Sequence, residues 1–359
     1  MKKLYSVLSL LLCLFILAGC AVKEPATDAT NETSGSTEDA QATGQATDPT
    51  TQEPTTEKDP TPNDPEVISL DGKKIIFIGD SFVYYGQTVL EKSQKYLTQA
   101  ERVNDKGYFY QLCRANGENV SVTNFTFGGH GLSSFCSGSC NTEKVCKGED
   151  HFSYLTDRNY DYVVVSGQRS STTTAESFLG DIRYIMEMFQ AANPNVKFVY
   201  LCSSGAHNVS VAETFPVNIL NNLKTIEEWG FTIVDWGKLV ADVIKGETAV
   251  PGALQSYNKN SFAVCKSSSD GYHPNQLSGY ITTLMTYCAI TGKSAVGQTY
   301  GFAETTWRTF SEFKSKYYTY NGATTNYPEI FKSESDMKGL QTLIDQYLEE
   351  KAYREYQFK

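Results

Sequence analysis

The sequence has little positive charge and few histidines. It carries 31 Lys and Arg against 41 Asp and Glu, for a formal net charge of −10, and only four His. No stretch forms the basic stripe that is typical of nucleic-acid-binding proteins, so a nucleic-acid partner is not expected. The small number of histidines also leaves few candidates for a general base that works near neutral pH.

A long apolar segment is missing too. Lys2 and Lys3 precede a short apolar run, Leu8–Leu17, which is too short to span a membrane and is typical of an export signal. The run ends in Leu-Ala-Gly-Cys, which resembles the bacterial lipobox, and this resemblance implies that Cys20 is lipid-modified. We therefore expect residues 1–20 to be a lipoprotein signal peptide, and acyl chains to hold the protein on the extracytoplasmic face of the cell membrane. The alternative is an ordinary signal peptide with an incidental cysteine.

Large apolar side chains are almost absent from residues 21–66. This segment is rich in Thr, Asp, Glu, Ala and Pro and contains eleven acidic residues against two lysines. Such a composition cannot bury enough surface to offset the entropy of ordering, so we predict a disordered, self-repelling linker. The remainder, 67–359, is long enough for one large domain. We expect its last part, from about 294 to 359, to be a helical extension.

The nine cysteines do not define a disulfide framework. Two lie in the first 20 residues, and the other seven are an odd number, so at least one is free or pairs with another chain. Cys202 and Cys288 lie in apolar runs and are expected to be buried, small hydrophobic side chains. A disulfide in the Ser/Gly-rich loop around Cys136 is expected in an exported protein. The pairing stays open among five residues, Cys113, Cys136, Cys140, Cys146 and Cys265.

Strand-like and helix-like patterns alternate through the domain. Short β-branched or apolar runs are followed by segments with helical spacing about five times, which predicts a parallel sheet with helices on both faces. The strand-like runs lie at 75–78, 120–127, 160–165, 196–202 and 231–234. The helix-like segments lie at 107–116, 176–192, 211–229, 239–244 and 277–290, and another is expected from Ser81 to Tyr96.

Polar and glycine-rich turns follow three of the predicted strands. They are Gly-Asp-Ser at 79–81, Gly-Gly-His-Gly at 128–131 and Ser-Gly-Gln at 166–168, and a fourth polar segment at 270–275 opens a helix. Loops after parallel strands emerge at one edge of the sheet, so these segments are expected to meet. A serine with a histidine, a carboxylate and hydrogen-bond donors is the set that acyl transfer needs. The alternative is that Gly-Asp-Ser is merely a good turn and helix-capping sequence.

Three of these motifs together resemble the SGNH (GDSL-type) hydrolase superfamily. They are Gly-Asp-Ser at 79–81, Asn-x4-Gly at Asn124 and Gly129, and Asp-Gly-Tyr-His-Pro-Asn at 270–275. The similarity covers most of residues 73–293 and is greatest to a bacterial branch with a glutamine in its third block. It implies a three-layer α/β/α fold with a flavodoxin-like parallel sheet of about five strands.

The resemblance also implies a role for each motif residue. Ser81 would be the nucleophile and its own backbone N–H one oxyanion donor, and Gly129 would supply a second backbone N–H. His273 would be the general base, oriented by Asp270. No cofactor and no metal site are implied, and the cysteine cluster lacks the fourth ligand and matching second half of a zinc site.

The third block departs from the family pattern. Where the family has Gly-x-Asn, this chain has Ser-Gly-Gln, so Gln168 would be the third oxyanion donor through its side-chain amide. The alternative is that Gln168 only closes the loop and leaves two donors. Arg169 could bind an acidic part of a substrate, and His130 is expected to line the pocket.

The predicted activity is therefore that of a serine esterase. We expect it to hydrolyse a short acyl ester, in particular an acetyl ester of a cell-surface or dietary glycan, through an acyl-enzyme. One alternative is an O-acyltransferase with the same site. Another is a non-catalytic lipoprotein that binds a glycan or other solute on a hydrolase-like scaffold, because a fold does not guarantee an activity.

Overall fold

The structure is a computed structural model, and its described part belongs to one unit, Pro60–Lys359. The described residues are 66–84, 87–88, 97–127, 131–136, 151–167, 175–203, 216–254, 256–262, 274–299, 319–320, 323–324 and 333–351. The signal peptide and nearly all of the linker predicted from the sequence lie outside these ranges, so their boundaries remain predictions.

Five parallel strands form the central sheet. They are β1 (Lys74–Gly79), β2 (Ser121–Thr126), β3 (Tyr162–Ser166), β4 (Lys197–Leu201) and β5 (Phe231–Val234). Their order is β2-β1-β3-β4-β5, and every neighbouring pair is parallel. This is the flavodoxin-like order, in which the strand order reverses beside the first strand. The predicted sheet is therefore confirmed.

Helices follow the strands much as the periodicity predicts. Their bounds are α1 (Ser81–Tyr84), α2 (Tyr108–Ala115), α3 (Ser133–Cys136), α4 (Ala175–Ala192), α5 (Pro216–Glu228), α6 (Trp236–Lys245), α7 (Lys259–Phe262), α8 (Gln276–Thr291) and α9 (Glu334–Glu350). Short 3-10 helices lie at Ala100–Arg102 and His151–Tyr154, and β6 (Thr319–Tyr320) pairs with β7 (Ala323–Thr324) in a separate antiparallel hairpin. Most of the predicted helix after Ser81 falls outside the described residues.

The two faces of the sheet bury two separate hydrophobic clusters. Side chains alternate along β1, so Ile75 and Phe77 join one cluster with residues of α2, α6, α8 and α9. Ile76 and Ile78 join the other cluster, with residues of α3, α4 and α5. Because successive strand residues point to opposite faces, a strand buried on both sides is apolar throughout. The three-layer α/β/α architecture is thus confirmed.

Helix α8 runs antiparallel to the strands. The backbone N–H of Ile68, which precedes β1, donates to the carbonyl oxygen of Thr291 at 2.8 Å, so the end of α8 lies at the amino edge of the sheet. A helix of 16 residues is about 24 Å long, and a six-residue strand spans about 20 Å. The start of α8 therefore lies at the carboxyl edge.

Helix α9, which lies in the region where a helical extension is expected, packs against α8. Leu340, Leu343 and Ile344 are buried in the same cluster as α8, and Gln341 Nε2 donates to Tyr280 Oη at 2.9 Å. Among the described residues, no helix has both the length and the apolar character needed to cross a membrane.

Three cysteines in the described part of the chain are buried and form no disulfide bond. They are Cys113, Cys202 and Cys288, which removes Cys113 from the set with open disulfide pairing and confirms the burial expected for the other two. Burial and, to a smaller extent, the nearby Glu118 carboxylate raise the pKa of the Cys113 thiol well above its ordinary value. Burial, followed by Asp345, does the same to Cys288. Such thiols are inert because little thiolate forms.

We expect Cys113 and Cys288 to resist alkylation in the folded protein. Iodoacetamide at neutral pH should leave both unlabelled in native protein and label both after unfolding in urea, as read by peptide mass spectrometry. The urea-treated sample is the control for intrinsic reactivity. Rapid labelling of either residue in the native protein would contradict the buried placement.

Candidate active site

Ser81 lies where β1 ends, at the first position of α1. Its side chain is buried, with 6% of its surface exposed. The preceding Asp80 shapes the turn, because its carboxylate Oδ1 accepts a hydrogen bond from the N–H of Phe82 at 3.0 Å and its carbonyl oxygen accepts from the N–H of Val83 at 3.1 Å. A strand followed directly by such a turn holds the serine at the carboxyl edge of the sheet.

Gly79 permits a close approach between β1 and the end of β3. A Cβ at this position would lie 2.7 Å from the carbonyl oxygen of Ser166 and 2.9 Å from Val83 Cγ2, so only glycine fits. The carbonyl oxygen of Gly79 in turn accepts from the N–H of Phe127 at 2.9 Å. The turn that carries Ser81 is therefore in contact with the ends of both neighbouring strands.

The buried amide of Asn124 links β2 to the segment that follows α1. Asn124 Oδ1 accepts hydrogen bonds from Thr88 Oγ1 at 3.1 Å and from Thr126 Oγ1 at 2.6 Å. All three side chains are buried. Because Thr126 is the last residue of β2, the amide connects the region around the candidate nucleophile to the strand that leads into the glycine-rich turn.

The segments after β2 and β3 touch at Gly167. A Cβ on Gly167 would lie 2.5 Å from Leu132 Cγ, so the leucine side chain packs directly on the glycine. The carbonyl oxygen of Gly167 accepts from Tyr200 Oη at 2.6 Å. Burial first, and then Cys202, Asp235 and Asp80, raise the pKa of Tyr200 well above its ordinary value, so its hydroxyl stays protonated and donates.

The start of α8 is anchored to α7. Asn275 caps α8 by accepting from the N–H of Ser278 at 3.1 Å, and its Nδ2 donates to the carbonyl oxygen of Ser261 at 2.8 Å. Ser278 Oγ donates to the carbonyl oxygen of Phe262 at 2.5 Å. The residue that follows Pro274 in the predicted His-Pro-Asn motif is thus fixed at the carboxyl edge of the sheet.

Of the predicted site residues, the described part of the chain contains only Ser81. The others lie outside it: Cys20, Gly129, His130, Gln168, Arg169, Asp270 and His273. The nearest described residues are Phe127 and Gly131 around the glycine-rich turn, Gly167 directly before Gln168, and Pro274 directly after His273. The roles of the seven residues therefore remain predictions, and the structure describes segments that lead towards them.

Sequence motifs do not indicate the contacts of three residues at this edge: Gly79, which approaches β3 closely, Leu132 and Tyr200. The sequence pattern identifies Gly79 only as part of the Gly-Asp-Ser turn. Leu132 is a single apolar residue that follows a glycine-rich turn, and no sequence pattern indicates that it packs on Gly167. Tyr200 lies in an apolar run that predicts a strand, where a hydroxyl among aliphatic neighbours signals a buried hydrogen bond.

No family model and no curated protein matches the chain. Several solved structures are similar to it. One is a GDSL-like lipase from Parabacteroides merdae, with 15% identity, 64% of this chain and 99% of that chain covered, and a TM-score of 0.40. Another is Axe2, an acetylxylan esterase from Geobacillus stearothermophilus, with 14% identity, 63% and 97% coverage and a TM-score of 0.41.

A third similar structure is a carbohydrate esterase family 2 enzyme with a carbohydrate-binding domain from Corynascus thermopiles. It has 18% identity, 65% coverage of this chain and 68% of that chain, and a TM-score of 0.37. Similarity at this level concerns the fold alone.

We expect Asn124→Ala to destabilise the protein by about 2 kcal/mol, because two buried threonine hydroxyls lose their acceptor. Urea unfolding followed by circular dichroism measures the loss. The matched control is Asn195→Ala at an exposed position, which should change the free energy of unfolding by no more than about 0.5 kcal/mol. An unfolding midpoint for Asn124→Ala equal to that of the control would rule out the linking role.

Proposed function

We propose that this protein is a serine esterase that hydrolyses acetyl or other short acyl esters of a glycan. The observation that carries the proposal is the position of Ser81. It lies at the carboxyl edge of a flavodoxin-like sheet, where the ends of β2 and β3 and the start of α8 also lie. Open α/β sheets bind their ligands at this edge, beside the strand where the order reverses.

In the proposed reaction, Ser81 Oγ attacks the ester carbonyl carbon while His273 accepts the serine proton. Asp270 holds the imidazole in the tautomer that can accept this proton. The tetrahedral intermediate collapses, the alcohol leaves with the proton from His273, and an acyl-serine remains. Water then attacks the acyl-enzyme with the same base, which releases the carboxylic acid and restores Ser81.

The oxyanion of the intermediate would be held by three donors. These are the backbone N–H groups of Ser81 and Gly129 and the side-chain amide of Gln168. Gly167 and Leu132 support this assignment, since Gly167 directly precedes Gln168, Leu132 comes three residues after Gly129, and the two residues pack against each other. Loss of one such donor costs about 10²–10³-fold in kcat.

The glycan part of the proposal rests on the expected cellular location and on the superfamily that the motifs resemble. A lipid anchor at Cys20 with a linker over 21–66 would present the domain outside the cytoplasm. Acetylated polysaccharides are the short acyl esters that we expect to be available to a protein at this location. His130 and Arg169 are the proposed substrate contacts.

Replacing Ser81 should abolish both turnover and covalent labelling. Wild-type protein is expected to react with a fluorophosphonate probe and to release acetate from acetylated glycans, and Ser81→Ala should do neither while it unfolds normally. Ser121→Ala, at the exposed start of β2 on the opposite edge, is the matched control and should behave like wild type. Equal labelling of Ser81→Ala and wild type would refute the mechanism.

The rate should fall towards low pH. A protonated imidazole cannot accept the serine proton, and an unperturbed histidine titrates near pH ~6.5. We therefore expect kcat/KM for a chromogenic acetyl ester to decline as pH is lowered from about 8 to about 5. A flat profile over this range in folded protein would remove His273 from the role of base.

A further inference from the structure

The contact between Leu132 and Gly167 joins the two segments that would carry the remote oxyanion donors. Leu132 comes three residues after Gly129, and Gly167 immediately precedes Gln168. Resting on the proposed function, we propose that Gly167 is a positioning residue. Because Leu132 packs on its Cα and Tyr200 binds its carbonyl oxygen, Gly167 would set the separation of the two donor segments.

The packing at Gly167 leaves no space for a larger residue. A Cβ there would lie 2.5, 2.9 and 3.0 Å from Cγ, Cδ1 and Cδ2 of Leu132, closer than real Cβ contacts. Leu132 has little room to move, because the residue is only 3% exposed within a hydrophobic cluster, and its backbone is held by a hydrogen bond from the N–H of Phe135 to its carbonyl oxygen at 2.9 Å. The distance between the two chains is therefore set by direct contact.

The other end of the glycine-rich turn is held as well. The ring of Phe127 packs on those of Phe125 and Phe135, with ring centroids 5.4 and 5.3 Å away, and the Arg102 guanidinium lies 5.3 Å from its centroid. Phe127 N–H also donates to Gly79. The described residues on both sides of residues 128–130 are thus fixed, one beside β1 and the other against Gly167.

Tyr200 fixes Gly167 from the core side. Its hydroxyl donates to the Gly167 carbonyl oxygen, and the raised pKa of this phenol keeps the proton in place. The carbonyl group is part of a planar peptide unit, so fixing its oxygen fixes the orientation of the peptide plane through which the chain leaves Gly167. Leu132 and Tyr200 therefore restrain the same residue at two different atoms.

Such restraint matters because an oxyanion hole acts only when its donors are placed correctly. Donors must lie about 2.7–3.1 Å from the oxyanion, and a displacement of about 1 Å can cost about 10²-fold in rate. The oxyanion exists in the transition state and not in the bound ester. Disturbing the contact between Leu132 and Gly167 should therefore lower kcat and leave KM nearly unchanged.

The test is a double-mutant cycle with kcat and KM measured on an acetyl ester. Gly167→Ala should lose about 10²-fold in kcat at similar KM, since its Cβ collides with Leu132. Adding Leu132→Ala makes room, so the double variant should recover about tenfold of that loss, which is non-additivity of the size seen between contacting residues. Gly180→Ala in α4, where a Cβ meets nothing within 4 Å, is the matched control and should keep wild-type kcat.

Tyr200→Phe keeps the inference testable if Gly167→Ala does not fold. It preserves volume and removes only the hydrogen bond, so it should lower kcat, and not KM, by about tenfold or more. A wild-type kcat in folded Gly167→Ala or in Tyr200→Phe overturns the inference, as does a double variant whose loss is the product of the single losses. If wild type itself is inactive and unlabelled by fluorophosphonate, the proposed function fails. If wild type and Ser81→Ala behave as proposed, a contrary result in the double-mutant cycle rejects only the positioning role of Gly167.

Discussion

The arrangement of the candidate site depends on the close approach of β1 and β3 at their carboxyl ends. Gly79 is in contact with Ser166, and its carbonyl oxygen receives the N–H of Phe127 from the β2 side. One residue of β1 therefore touches the ends of both neighbouring strands, two positions before Ser81. A side chain at Gly79 would push β3 away, and the segments after β2 and β3 could not reach the same point.

Elements that depend on local pattern could be predicted from the sequence. The alternation of apolar runs and helical spacing predicts five strands and a parallel sheet, and the strand bounds agree within two residues because buried strands are bordered by polar turns. The candidate nucleophile could be found because Gly-Asp-Ser directly follows such a strand. The three-layer packing follows from strands that are apolar on both faces.

Contacts between remote segments could not be predicted in this way. The packing of Leu132 on Gly167 depends on how β2 and β3 flank β1. The local sequence of neither segment predicts this contact. The same holds for Asn124, whose amide could be recognised as part of a motif but not as the acceptor for Thr88 and Thr126. Side chains that act through tertiary geometry carry no local signature.

The two edges of the sheet differ in what holds α8. At the amino edge, the buried Glu118 accepts from Lys293 Nζ, Tyr287 Oη and the N–H of Leu70, so the end of α8 is tied to the chain before β1 by a charged network. A buried carboxylate with this many donors is costly to disrupt, since removing one partner leaves a charge uncompensated. At the carboxyl edge, neutral hydrogen bonds of Asn275 and Ser278 hold its start. The charged anchor of α8 thus lies at the amino edge of the sheet, away from the carboxyl edge where α/β folds carry their ligand contacts, and the packing of α8 is secured without placing a buried charge beside Ser81.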